Sequence, residues 1–253
     1  MFLLAALPAF ADAIAAPEMC AMARVVDSVP RPAATDVPTD VRLAAVFSGD
    51  CGGPSTVTLT LSRADDGSVL STEETAWEGD VFQIFELYPP SELDPDTGYV
   101  LTVTPDDGSG EVTEIGFTTG SARAAELDGL PSFTIADATS ERGSGIVVTE
   151  STLTAASDPD RLSLLVLTAS GAASGEVVVG LDGVGDRLDS WSGGEGEVCL
   201  QVTQLDATGA AVDGEPACAE VQLSGELPWS CNSAGGGMSA LGVLLAFGLG
   251  RRR

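Results

Sequence analysis

Apolar and polar residues along the chain change places in short runs, and no segment between Cys20 and Pro228 sustains an apolar helical period. The candidate strands of the first half are Ala21–Val29, Val41–Phe47, Thr56–Ser62, Ser68–Glu73, Val81–Leu87, Gly98–Thr104 and Val112–Thr118. Thr56–Ser62 alternates strictly, with Val57, Leu59 and Leu61 on one side and threonine or serine on the other, which is the period of a half-buried strand. Gly, Pro and Asp clusters punctuate the runs. Short strands at intervals of about ten residues predict an immunoglobulin-like sandwich.

A second series follows at Ser132–Ala136, Gly145–Thr149, Leu162–Thr168, Glu176–Leu181, Val198–Leu205 and Ala217–Leu223. The polar, small-residue stretch 121–129 between the two series reads as a linker. The expected fold is therefore all-β, with two tandem immunoglobulin-like β-sandwich domains at 17–120 and 130–228. They are flanked by a signal peptide at 1–16 and by a segment at 229–253 that holds a short C-terminal hydrophobic helix.

Two local patterns sharpen the first domain. Leu93-Asp94-Pro95-Asp96-Thr97-Gly98-Tyr99 resembles the corner that opens strand F of fibronectin type III domains. The resemblance implies that Leu93, Pro95, Thr97 and Tyr99 are structural, with the tyrosine hydroxyl bonded back to the upstream backbone. Residues 32–40 followed by Val41–Phe47, together with the closing Gly116-Phe117-Thr118-Thr119-Gly120, resemble bacterial Ig-like modules of the SbsA type.

The two ends speak of address. Residues 2–11 are apolar and run into the small residues Ala11, Ala13, Ala15 and Ala16, the signature of a signal-peptidase site. At the other end stand Cys231, a small-residue spacer, an uncharged apolar run and Arg251, Arg252 and Arg253. The run from Ala234 to Gly250 has 17 residues, at the short limit for a membrane span. The three arginines would stay cytoplasmic under the positive-inside rule. This order resembles the MYXO-CTERM sorting signals of myxobacterial surface proteins. The resemblance implies a sorting protease or membrane machinery acting on the tail, with Cys231 as the processed end. The expected location is exported, C-terminally anchored at the cell surface or outer membrane.

Composition removes whole classes of chemistry. With 38 acidic residues against 11 basic ones, all arginine, the net charge is −27, which repels nucleic acid. The absence of histidine excludes Ser-His-Asp and Cys-His arrangements, and the absence of lysine excludes a Schiff base and a phosphate-loop lysine. Asp96-Thr97-Gly98 matches the aspartic-protease tripeptide but lies inside the tyrosine-corner pattern and reads as structural. A glycosidase would need paired carboxylates beside aromatic platforms, for which the chain has Trp77, Trp191 and Trp229.

No cofactor is expected. Calcium is the one ligand that the acidic loops suggest, with Asp182, Asp186 and Asp189 as the weak metal candidates; the bland alternative is that these are turn residues capping their own backbone. The five cysteines divide by compartment and spacing into Cys20–Cys51, Cys199–Cys218 and a solitary Cys231. Parity puts Cys199 and Cys218 on the polar faces of their strands. A register with 199 opposite 218 would bring 205 opposite 212, leave Thr208-Gly209 as a two-residue turn and set Pro216 at an edge or bulge. A Cα separation near the usual value of about 5.5 Å is expected for the pair. The functional expectation is a non-enzymatic structural, adhesive or binding protein displayed on the surface, meeting another surface protein or a glycan. The alternatives are a carbohydrate- or calcium-binding accessory module and a carboxylate-based hydrolase.

Overall fold

The computed structural model describes residues 24–48, 55–76, 82–106, 111–141 and 145–224. The expected signal peptide, Cys20, Cys51, Trp77, Trp229, Cys231, the C-terminal helix and Arg251–Arg253 all lie outside the described residues.

The chain is all-β. In the first half, β1 (Arg24–Val29), β2 (Leu43–Ser48) and β5 (Phe82–Leu87) form one antiparallel sheet in the order β1-β2-β5. A second sheet runs β4-β3-β6-β7, from β4 (Val69–Ala76), β3 (Thr56–Arg63), β6 (Gly98–Pro105) and β7 (Thr113–Thr118). Strand parity makes the sandwich. Val57, Leu59 and Leu61 of β3 are buried together with Leu101, Val103, Ile115 and Phe117. Leu43, Ala45, Phe47 and Phe85 complete the layer from the other sheet, with Phe47 and Phe85 edge to face at 5.3 Å between ring centres.

β2 departs from that alternation, because Leu43, Ala44, Ala45, Val46 and Phe47 are all at most 1% exposed. The registers Val29↔Ala44↔Glu86 and Asp27↔Val46↔Ile84 place these residues on the face of the sheet opposite Phe47 and Phe85. That outer face is covered by the second half of the chain. Leu162, Leu164 and Ala207 belong to the same buried cluster, and Val178 packs against it.

In the second half, β8 (Ser132–Glu141), β9 (Ile146–Thr154), β10 (Leu164–Gly180), β11 (Gly185–Leu205), β12 (Ala211–Asp213) and β13 (Ala217–Ser224) belong to one sheet. Its pairings close on themselves: β8 pairs β9, β9 pairs the first part of β11, β11 pairs β13, and β13 returns to β8 in parallel. Phe133, Val147, Leu153, Leu165, Leu167, Trp191, Val198, Leu200 and Val202 fill the interior.

Here the sequence expectation needs correcting. The runs Leu162–Thr168 and Glu176–Leu181 fall, apart from Leu162, Ser163 and Leu181, in one 17-residue strand, and Val198–Leu205 is the end of a 21-residue strand. The small residues between the runs conceal a bulge rather than a turn. The register passes from Gly171↔Val198 to Ala173↔Gly193, so residues 194–197 leave the β10 partner, and Gly196 and Glu197 pair with β13 instead. The close approach requires glycine. A Cβ on Gly171 would lie 2.3 Å from the Glu197 carbonyl oxygen, and Gly171 has a φ of +81°.

The stretch 121–129 is anchored along its length. Thr39 N–H donates to the Ala122 carbonyl, Ala124 N–H to Asp40, Ala125 N–H to Asp160, and Asp128 exchanges backbone bonds with Ser157.

Candidate functional site

The three acids singled out as metal candidates point in three directions. Asp182 sits in the 3-10 turn Leu181–Gly183 and accepts a hydrogen bond from Arg31 Nη1 of the first half at 2.6 Å. Asp186 faces outward and accepts from the Thr152 hydroxyl at 2.7 Å. Asp189 faces inward and is 8% exposed. The guanidinium of Arg187 holds it in a bidentate pair, with Nη2 to Oδ1 at 2.7 Å and Nε to Oδ2 at 3.0 Å, while Nη1 donates to the Gly183 carbonyl. Strand alternation explains the divergence, since residues 186 and 189 of one β-strand occupy opposite faces.

Several of the other loop acids hold nearby backbone and hydroxyl groups. Asp66 accepts from Ser68 N–H, Asp158 from the N–H and hydroxyl of Ser163, and Asp206 from Thr208 and Ala210. Asp106 accepts from the N–H and hydroxyl of Thr56 and from the Ser55 hydroxyl. The Thr56 hydroxyl is the first cause of a carboxyl pKa below the ordinary value at Asp106, and the Ser68 hydroxyl of the same shift at Asp66.

Asp96-Thr97-Gly98 is part of the corner. Asp96 has a φ of +51°, Thr97 Oγ1 donates to the Pro95 carbonyl at 2.8 Å, and Leu93 is buried beneath. Tyr99 is buried and stacks on Phe117 at 5.7 Å, and its hydroxyl accepts the Asp94 N–H at 2.9 Å. Thr119, directly after β7, closes the corner, donating its hydroxyl to the Asp94 carbonyl and accepting the Thr97 N–H. Arg63 pairs with the Asp94 carboxylate at 2.6 Å, which raises the guanidinium pKa further.

Of the tryptophans, Trp191 lies within the described residues, and it is no binding platform. The side chain is 3% exposed in the core of the second sheet, with the indole N–H donating to Thr149 Oγ1 at 3.1 Å. The ring falls on the inner parity of β11, so it does not supply the aromatic platform that a glycan site or glycosidase would need.

Cys199 and Cys218 are directly opposite in the β11–β13 register and form a disulfide on the solvent side, Cys199 half-buried and Cys218 exposed. Their Cα atoms are 4.0 Å apart, closer than the sequence expectation, because the two residues stand directly opposite each other in adjacent strands. The turn beyond them differs too. Leu205 pairs with Ala211, not with residue 212, because the chain bulges at Gly214–Pro216, where Gly214 N–H donates to the Val202 carbonyl. The loop is then Ala207-Thr208-Gly209, closed by Gly209 N–H to the Asp206 carbonyl and Asp206 N–H to the Ala210 carbonyl. Glu197 joins the two cysteines in the one acid–thiol cluster of metal-ligand dimensions among the described residues. Both sulfurs are consumed by the disulfide, so the cluster offers no thiolate.

Two surface depressions are the roomiest of those recorded among the described residues. One, of about 360 Å³, lies between β4 and β5 and is lined by Glu73, Thr75, Ile84, Glu86 and Tyr88. The other, of about 620 Å³, lies over β8, β9 and β11 and is lined by residues including Glu150, Thr152, Asp186 and Leu188. Sequence reasoning passed over two buried polar side chains near the junction of the halves. Gln204 is wholly buried, accepting from Ala156 N–H and donating to the Ala156 carbonyl and Ser163 Oγ. Arg42 is 1% exposed and paired with Glu86. Its signal was a lone arginine directly before an unbroken apolar run.

No protein-family model and no curated protein sequence matches the chain. Among solved structures, it is similar to the fibronectin(III)-like modules of Clostridium thermocellum CbhA, at 14% identity over 80% of this chain and 95% of that one, with a TM-score of 0.28. Also similar are the N-terminal Ig1-2 module of the Drosophila receptor protein tyrosine phosphatase DLAR, at 13% identity over 79% and 98% of the chains and a TM-score of 0.27, and the FN1-FN3 domains of chicken CNTN1, at 8% identity over 80% and 66% and a TM-score of 0.27. These values are too low to bear on function.

Proposed function

We propose that the chain is an exported, non-enzymatic protein displayed at the cell surface, where its β-sandwich body acts as a structural or binding module. The observation that carries this reading is the tail order of Cys231, small-residue spacer, uncharged apolar run and Arg251–Arg253, with the positive end retained inside. On this reading a sorting protease or membrane machinery engages the tail, and Cys231 becomes its processed end. Two further features support it. A charge of −27 without lysine or histidine suits a solvated extracellular surface. Asp66, Asp158, Asp186 and Asp189 are engaged with backbone, hydroxyl or arginine groups of the chain itself, as acids of spacer loops would be.

The test is topological. Protease added to intact cells of the native host should digest the sandwiches, and Cys231→Ala or deletion of Arg251–Arg253 should alter retention or processing. A wild-type protein that remains in the cytosol would overturn the proposal.

A further inference from the structure

Arg42 is a cation sealed in by both halves of the molecule. Its side chain is fully buried, and Nη1 donates to a carboxylate oxygen of Glu86. Nε and Nη2 are buried with no hydrogen-bond partner. The other carboxylate oxygen of Glu86 accepts the Tyr88 hydroxyl at 3.3 Å. Glu86 itself is 34% exposed at its side chain, so water and protons reach the counter-ion while the guanidinium stays dry.

The cover over Arg42 is the loop between β11 and β12. Arg42 N–H donates to the Ala207 carbonyl at 2.8 Å, and Ala207 is 1% exposed within the cluster that contains Leu43 and Ala44. Gly209 lies directly on the pair. A Cβ there would stand 2.7 Å from the Tyr88 hydroxyl and 2.9 Å from Arg42 Cδ, and its φ of +90° already favours glycine. A buried charge is tolerated while it is paired and becomes costly once its partner is neutralised. Arg42 has no second carboxylate beside it, the neighbouring Tyr88 hydroxyl is uncharged, and hydration of the guanidinium requires water that the 206–210 loop keeps out.

We propose that Arg42, Glu86 and the 206–210 loop form an acid-sensitive latch between the two halves: protonation of Glu86 strands the Arg42 charge, and the loop lifts to hydrate it. The inference stands apart from where the protein is displayed. The ionisable groups facing the pair are few. β5 supplies Glu86 and Tyr88, β4 supplies Glu73 across the shared depression, and the loop supplies Asp206, whose carboxylate is engaged by Thr208 and Ala210. Tyr88 stays protonated throughout the acid range, since burial first and Glu86 second push its hydroxyl up. Arg31–Asp182, an ion pair that does cross the junction, is exposed and adds little to it.

Amide hydrogen exchange in the full chain tests the latch, because the Arg42 amide is itself a junction bond. Corrected for intrinsic rates, protection of Arg42 should fall by about tenfold or more as the pH is lowered from about 7 to about 3, below the ordinary carboxylate range, while the core amides of Leu59 and Leu200 hold. Glu86→Gln should lose the same protection already at neutral pH. Arg42→Met combined with Glu86→Gln, which removes the stranded charge, should keep the Ala44 and Ala207 segments protected across the range. If Glu86→Gln does not fold, the wild-type pH series and the double variant still decide. Uniform loss across junction and core in acid, or a Glu86→Gln protein as protected at neutral pH as wild type, would overturn the proposal.

Discussion

The phenolic oxygen of Tyr99 lies 2.9 Å from the backbone nitrogen of Asp94 and accepts its hydrogen. The two stand five positions apart in the sequence, so the bond closes the chain reversal that aims β6 into the sheet. The ring is 1% exposed and stacked on Phe117, so removal of the hydroxyl leaves the Asp94 N–H without its acceptor and scarcely alters the packing. Tyr99→Phe should therefore cost about 1–3 kcal/mol, seen as a lower urea midpoint of the transition that includes the first two sheets. An unchanged midpoint would show that the Asp94 N–H finds water instead.

That corner was legible because its residues are fixed by local backbone geometry, which a short pattern encodes. The strands of the first half were legible for a related reason: Val57, Leu59 and Leu61 alternate with hydroxyl residues, and burial follows that alternation. The second half was harder. Ala169–Gly175 contains glycines and small side chains that read as a turn, yet Gly171 and Gly175 at positive φ keep β10 running through a bulge. The first part of β11 looked like an acid loop because Asp186 and Asp189 stand among glycines. Trp191 and the Arg187–Asp189 pair, buried on its inner side, show it to be a strand. The burial of Ala44 and Val46 depends on contact with the other half of the chain, which no local pattern carries.

The Cys199–Cys218 bridge spans 19 residues of sequence and crosses β11 and β13 on the solvent side. Its contribution comes mainly from restricting the unfolded hairpin, about 3 kcal/mol for a loop of this size. Cys199→Ala with Cys218→Ala should lower the stability of the second sheet by about that amount. The Tyr99 transition should move less. Non-reducing peptide mapping should recover the 199–218 pair, and a Cys199–Cys231 link would contradict it.

Trp191 supplies a buried reporter. Its emission should be blue-shifted and indifferent to added oligosaccharides once Trp77 and Trp229 are replaced by phenylalanine. Thr149 is fully buried and accepts the indole N–H at 3.1 Å. Thr149→Val should leave that donor unpaired, costing about 1–3 kcal/mol, with Trp191→Phe in the same background recovering part of the loss. Saturable quenching of Trp191 by a glycan would show that the ring becomes accessible.

Asp106 allows a prediction with a defined sign. Its carboxylate gathers the Thr56 N–H, the Thr56 hydroxyl and the Ser55 hydroxyl where β6 ends beside the start of β3. These donors favour the charged form, with the Thr56 hydroxyl leading, and lower the folded pKa below the ordinary carboxylate value. The unfolded chain then takes up its proton first as pH falls. The stability this group adds is complete above the unfolded value, near pH 3.9, and disappears as pH drops through the lower folded one. Asp106→Asn should thus be less stable than wild type at about pH 6, and the gap should narrow towards about pH 2. Asp66, shifted in the same direction by Ser68, contributes in the same window, so Asp66→Asn should show the same convergence. Urea midpoints of wild type and both variants across that range check the claim. A gap that stays constant with pH would mean that the hydrogen bonds of residue 106 matter and its charge does not.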